Sequence, residues 1–140
     1  MLTMKFSKKS LMQMLMSCMF IWLTVACKKK QTADISLPII TVAEPGANDT
    51  LSLAAEPEVH LEFTVTDESS LATLTVLLVK NNADTLLFET PAVHGLSVYP
   101  YHEHVIPVGI TALTPLTARI TATDHSGNMA NQTINFFVEP

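Results

Sequence analysis

The sequence has 140 residues, of which 48% are hydrophobic, and it contains only two cysteines. From residue 38 onward Lys80 and Arg119 are the only lysine or arginine side chains against 12 acidic ones, a formal charge of −10. Because nucleic acids attract proteins mainly through basic side chains on their phosphates, this acidity excludes a nucleic-acid partner.

Residues 1–26 have the pattern of a secretory signal peptide. Lys5, Lys8 and Lys9 precede an apolar run over residues 11–26 that ends in small side chains. The run has 16 residues, fewer than the roughly 20 that a membrane-spanning helix needs. We therefore predict a cleaved export signal.

The last residues of this signal resemble the bacterial lipobox, in which a cysteine is lipidated and becomes the first residue after cleavage. They read Thr24-Val25-Ala26-Cys27. Cys18 lies in the part that would be removed, so Cys27 would be the one cysteine of the mature chain, without an internal disulfide. We predict lipidation of Cys27; an uncleaved anchor and a plain secretory signal are the alternatives.

Residues 27–37 are predicted to be the lipidated cysteine and a polar tether. Lys28–Lys30 would lie beside anionic headgroups, where each basic residue adds about 1 kcal/mol of attraction. Acyl chains together with such a basic segment hold a protein on a membrane without spanning it. Alternatively, these lysines are only a solvated spacer.

Residues 38–140 are predicted to form one all-β domain of about seven antiparallel strands. The segments "EVHLEFTVTD", "LTARITATD" and "NQTINFFVE" alternate apolar and polar residues, which is typical of half-buried strands. Less regular strands are predicted in "PIITVA", "LATLTVLLVK", "DTLLFET" and "LSVYPYHEHVIPV". Pro100 lacks a backbone donor, which predicts an edge strand or a bulge. This spacing, with no helical period, predicts an immunoglobulin-like β-sandwich.

The order of motifs along the chain resembles one bacterial family. A lipobox and a tether are followed by "PIITVAEP", "TDESSL", "HEHVIPV" and a late "TATDHSGN", as in the uncharacterised Ig-like lipoproteins of Bacteroidota, catalogued as a domain of unknown function. The resemblance implies a sandwich that is anchored in the cell envelope, at the outer membrane. It does not imply any particular activity. Surface-displayed members often carry acidic residues after the cysteine, whereas this chain has Lys28–Lys30, so the periplasmic and surface leaflets both stay open.

"YHEH" is the sharpest chemical feature of the sequence. On a strand, His102 and His104 point to the same face, and imidazole binds both zinc and copper. His94 in the preceding turn, or His60 on another strand, is the candidate third ligand for a metal. The alternative is a polar strand face that happens to hold two histidines.

Calcium is the second candidate cation. Asp67 and Asp124 each follow a strand and offer carboxylate oxygens, which calcium prefers. The two turns lie at the same end of the fold or at opposite ends, depending on the strand directions. Closing a tight turn through an Asx side chain is the alternative role.

Two further features concern ligands and modification. Tyr99 and Tyr101 share a strand face and are candidates for a glycan-binding platform or for core residues. Thr50 and Thr85 lie in two "DTL" segments that resemble the short O-glycosylation motif of Bacteroidota.

No catalytic constellation stands out in the sequence. Asp124-His125-Ser126 are consecutive, so they cannot face one another as a triad does. We therefore expect a non-enzymatic, membrane-tethered module that binds or scaffolds an unknown protein or glycan, and no cofactor. The alternatives are a zinc- or calcium-binding module and an adhesion-related surface protein; an enzyme is the competing class.

Overall fold

The alternation of side chains along the strands decides which faces meet in the core. In the computed structural model, which describes residues 34–140, β3 (Val59–Thr66) buries every second side chain and presents the others outward. β6 (Val98–Val105) follows the same rule, with Tyr101 and Val105 buried and His102 and His104 exposed. The predicted signal peptide and Cys27 lie outside the described residues.

Eight strands are present between residues 34 and 140. The other six are β1 (Ile39–Glu44), β2 (Thr50–Ser52), β4 (Leu71–Lys80), β5 (Asp84–Glu89), β7 (Thr114–Asp124) and β8 (Met129–Glu139). The part of the chain that the structure describes contains no helix able to cross a bilayer.

The strands form two sheets. One has the order β1-β3-β6, and the other has the order β2-β8-β7-β4-β5. All neighbours run antiparallel except β2, which runs parallel to β8. The predicted all-β sandwich is thus confirmed. The sequence missed β2, because a strand of three residues is too short to show an alternating pattern.

The core lies between the two sheets and is mainly aliphatic. Its largest fully buried side chain is Phe136 of β8, and the ring of Phe63 stacks on Tyr101 with the ring centres 4.6 Å apart.

The Tyr101 hydroxyl donates a 2.8 Å hydrogen bond to Glu89, which links edge strands of different sheets. Burial, and then this carboxylate, raise the pKa of Tyr101 above its ordinary value.

β6 lies at the edge of its sheet, which confirms the edge position predicted from Pro100. A proline is tolerated there because an edge strand leaves alternate backbone donors unpaired.

Two turns meet at one end of the sandwich. β4 and β7 pair antiparallel with Leu71 opposite Asp124, so the β3–β4 turn lies beside the β7–β8 turn. The His125 amide donates to the Ser70 carbonyl between the two turns. In the β7–β8 turn Gly127 has a φ of +87°, a conformation that L side chains rarely adopt.

Candidate metal centre

Three histidines converge on the outer face of the β1-β3-β6 sheet. His60 lies directly opposite His104 in the β3–β6 pairing, and His102 is two residues away on the same face of β6. One ring nitrogen of each lies within 4.8 Å of those of the other two. The register of two antiparallel strands is therefore what assembles the cluster.

The rings are close to one another and tilted. The ring centre of His104 lies 4.1 Å from that of His60 and 4.7 Å from that of His102. His102 and His104 are exposed, whereas His60 is half-buried. The cluster is accordingly open to an ion from solvent on one side and supported by protein on the other.

Glu58, just before β3, orients His104. Its Oε1 lies 2.8 Å from Nδ1 of His104. The hydrogen bond with His104 holds the pKa of Glu58 below its usual value, so this carboxylate is ionised and accepts the proton of Nδ1. In the neutral form of the ring, Nε2 is then the nitrogen that carries the lone pair. Metal-binding histidines commonly donate their other ring N–H to a carboxylate in this way.

His60 is surrounded by carboxylates as well. Its Nε2 lies 3.2 Å from Oε1 of Glu56 and 3.6 Å from Oε1 of Glu58, and its Nδ1 lies 3.9 Å from Glu44. Nε2 is shielded from solvent, and within residues 34–140 it makes no well-formed hydrogen bond although these carboxylates lie close to it. This nitrogen therefore lies near negative charge but has no hydrogen-bond partner among residues 34–140.

An open cleft of about 470 Å³ borders the cluster. It is lined by His60, the three neighbouring glutamates and the β1–β2 segment. Of the three histidines, His60 is the one that lines this cleft, so the cleft lies on the His60 side of the cluster.

Chemically, three neutral imidazoles with adjacent carboxylates suit a divalent transition metal. Zinc binds imidazole nitrogen at about 2.0–2.1 Å, so two ligands of one ion are at most about 4.2 Å apart. The nitrogens of the three histidines, within 4.8 Å of one another, lie close to that limit. Three protein ligands leave the fourth zinc position for water or a carboxylate.

The sequence was wrong about His94 as the third histidine. Its Nε2 lies 3.1 Å from Nε2 of His125, in the β7–β8 turn, and the two rings meet edge to face. His60, the other residue considered, completes the cluster instead. Sequence spacing fixes which residues share a strand face, but it does not fix which strand is the neighbour.

Of the two candidate roles of Tyr99 and Tyr101, the structure shows the core role and not the platform. Tyr101 is only 5% exposed and its ring is covered by Phe63, while Tyr99 is half-buried against the core. Both side chains point inward because side chains alternate along β6 and the neighbouring His102 points outward. Thr50 and Thr85 are exposed at the start of β2 and on edge strand β5, and their glycosylation stays a prediction.

The structure brings Asp67 and Asp124 together at the end of the sandwich where their turns meet. Asp34, which the sequence placed in the tether, joins them; one carboxylate oxygen of each lies within 4.8 Å of those of the other two. Hydrogen bonds within their own turns confirm the expected Asx role of Asp67 and Asp124.

No protein-family model matches this chain, and no curated protein is significantly similar to it. The resemblance to the Bacteroidota lipoproteins therefore stays a prediction.

Proposed function

We propose that this protein is a lipid-anchored, non-enzymatic envelope module that binds a divalent transition-metal ion of the zinc or copper type. The observation that carries the proposal is the convergence of His60, His102 and His104 on one exposed sheet face. Lipidation of Cys27 rests on the lipobox-like sequence alone.

Three properties of the cluster support metal binding over a chance arrangement of polar residues. One imidazole is already oriented by an ionised carboxylate. A second has a shielded nitrogen without a hydrogen-bond partner among the described residues. Two further carboxylates, of Glu56 and Glu44, lower the electrostatic cost of bringing a cation into this place.

The ligand type favours zinc or copper over calcium or magnesium. Imidazole nitrogen is a borderline ligand that suits zinc and copper, whereas calcium and magnesium prefer oxygen. Because the cluster is open to solvent, the module is suited to capturing an ion and releasing it again. We assign it a binding role rather than a structural one on this ground.

Titration of the full chain in detergent with ZnCl₂, followed by calorimetry, tests the proposal. We expect saturable binding of one zinc ion, and a loss of at least about tenfold in affinity in the double variant His102→Gln, His104→Gln. The matched control is His94→Gln, His125→Gln, which removes the other histidine pair. Equal zinc binding by the wild type and the His102, His104 double variant would refute the proposal.

A further inference from the structure

Three carboxylates meet at the end of the sandwich away from the histidines. Asp34 precedes β1, Asp67 follows β3, and Asp124 ends β7. One oxygen of each lies within 4.8 Å of those of the other two. Three negative charges this close repel one another unless a positive charge lies among them.

Asp67 has one carboxylate oxygen that nothing satisfies. Its Oδ1 accepts hydrogen bonds from the amide and the hydroxyl of Ser69 and from the amide of Ser70, at 2.8–2.9 Å. Its Oδ2 is shielded from solvent and has no hydrogen-bond partner among residues 34–140. The residue as a whole is only 7% exposed. Since the turn occupies Oδ1, Oδ2 is the oxygen left for the cluster.

Asp34 repeats this pattern. Its Oδ1 accepts the Ser36 amide at 2.9 Å, and its Oδ2 is again shielded and without a partner. Its carbonyl accepts a 3.1 Å hydrogen bond from the side chain of Asn128, which fixes this segment against the β7–β8 turn.

Asp124 contributes the third charge and is 2% exposed. Burial alone would raise the pKa of this carboxyl, yet hydrogen bonds from Asn128 and Ser126 hold it below its ordinary value. The Ser69 hydroxyl and the Ser36 amide likewise lower the pKa of Asp34. Both groups are therefore ionised at neutral pH.

No lysine, arginine or histidine forms an ion pair with any of the three carboxylates within the described part of the chain. A buried carboxylate oxygen without a hydrogen bond or an opposite charge is strongly disfavoured. A cation among the three carboxylates would supply the missing opposite charge.

We infer that Asp34, Asp67 and Asp124 bind a hard divalent cation of the calcium type. Calcium takes 6–8 oxygen ligands at about 2.3–2.6 Å and accepts carboxylates through one or both oxygens. The three carboxylates supply part of that shell, and water completes it. An all-oxygen set does not favour zinc, so this site is chemically distinct from the histidine cluster.

Calcium at this site connects three distant segments of the chain. Asp34 belongs to the segment before the first strand, and the other two ligands come from the β3–β4 and β7–β8 turns. The ion therefore fastens the segment that leads into the sandwich onto the end of the domain. His60 and Asp67 lie at opposite ends of β3, about 23 Å apart at the usual rise per residue, so the two sites are independent.

Thermal unfolding of the full chain at increasing CaCl₂, paired with calcium calorimetry, tests the inference. We expect one saturable site and a midpoint that rises with calcium, because an ion that binds only the folded state stabilises it. Asp34→Asn and Asp67→Asn should each weaken calcium binding by at least about tenfold, since affinity follows the ligand charge. Asp84→Asn, an exposed carboxylate on β5, is the matched control.

Circular dichroism before the titration shows whether each variant is folded. Asp67→Asn alters the β3–β4 turn, in which Oδ1 of Asp67 accepts three hydrogen bonds, whereas Asp34 lies before the first strand, so Asp34→Asn is the safer variant. Absence of calcium binding to the folded wild type would overturn the inference. Equal binding by the folded Asp34→Asn variant, or an equal response to MgCl₂, would also contradict the calcium assignment.

Discussion

One carboxylate decides which ring nitrogen of the histidine cluster is available to a metal. Glu58 accepts from Nδ1 of His104 and lies 3.6 Å from Nε2 of His60, so it acts on two of the three rings. Its place just before β3 puts it beside both strands. Glu58 therefore acts on the cluster through the histidine rings that it contacts.

Replacing Glu58 with Gln should weaken zinc binding by about 10–100-fold, because the orientation and basicity of His104 are lost together. Calorimetry with ZnCl₂ measures the change. Glu68→Gln, an exposed glutamate in the β3–β4 turn, is the control and should bind zinc as the wild type does. Unchanged affinity in Glu58→Gln would show that the carboxylate does not position the ring.

Tyr101 should ionise only well above pH 10, the ordinary pKa of a tyrosine. Because its pKa is raised in the folded state, its contribution to stability is fully present below about pH 10 and is lost as the pH rises above that value. The variant Tyr99→Phe leaves Tyr101 as the only tyrosine of the chain. Absorbance at alkaline pH then reports the ionisation of Tyr101, and the urea-unfolded variant is the reference. If Tyr101 titrated at the same pH in the folded and the unfolded variant, the buried hydrogen bond to Glu89 would be contradicted.

The pairing of β3 with β6 is the element that creates the histidine cluster. From the sequence, the shared face of His102 and His104 follows from the strand period of two. His60 could not be chosen over His94, because the neighbour and the register of a strand depend on contacts between residues far apart in sequence. The same reason explains why the sequence left both a platform and a core role open for Tyr101: alternation gives two faces but does not name the buried one.

The β8 strand carries the largest fully buried side chain. Phe136→Ala should reduce the free energy of unfolding by about 3–5 kcal/mol, because it leaves a cavity between the sheets. Phe88→Ala removes the same ring from an edge strand where it is 64% exposed, and should change stability by about 0.5 kcal/mol or less. Urea unfolding of both variants compares them, and similar losses would contradict the assigned core.

At the scale of the whole molecule, the fold was more predictable than the sites. The regular alternation in the longer strands was sufficient for an all-β sandwich. Asp34 gave no signal, because it lies outside any periodic segment and its partners are contributed by turns far along the chain. A site assembled from three separated segments is visible only once the topology is known.

The membrane anchor that the sequence predicts depends on Cys27. Cys27→Ser should move the protein from the membrane fraction to the soluble fraction, because the acyl chains supply most of the membrane affinity. Immunoblots of fractionated cells measure the distribution, and Cys18→Ser is the matched control. Retention of Cys27→Ser in the membrane fraction would indicate an uncleaved amino-terminal anchor.

Metal binding by the three histidines is best tested by a measurement that resolves each histidine ring. Long-range ¹H–¹⁵N NMR spectra of the full chain, recorded while ZnCl₂ is added, report the ring nitrogens of all five histidines. We predict that His60, His102 and His104 shift together and saturate at one equivalent of zinc, while His94 and His125 do not change. Shifts confined to His94 and His125, or no shift at all, would contradict the account.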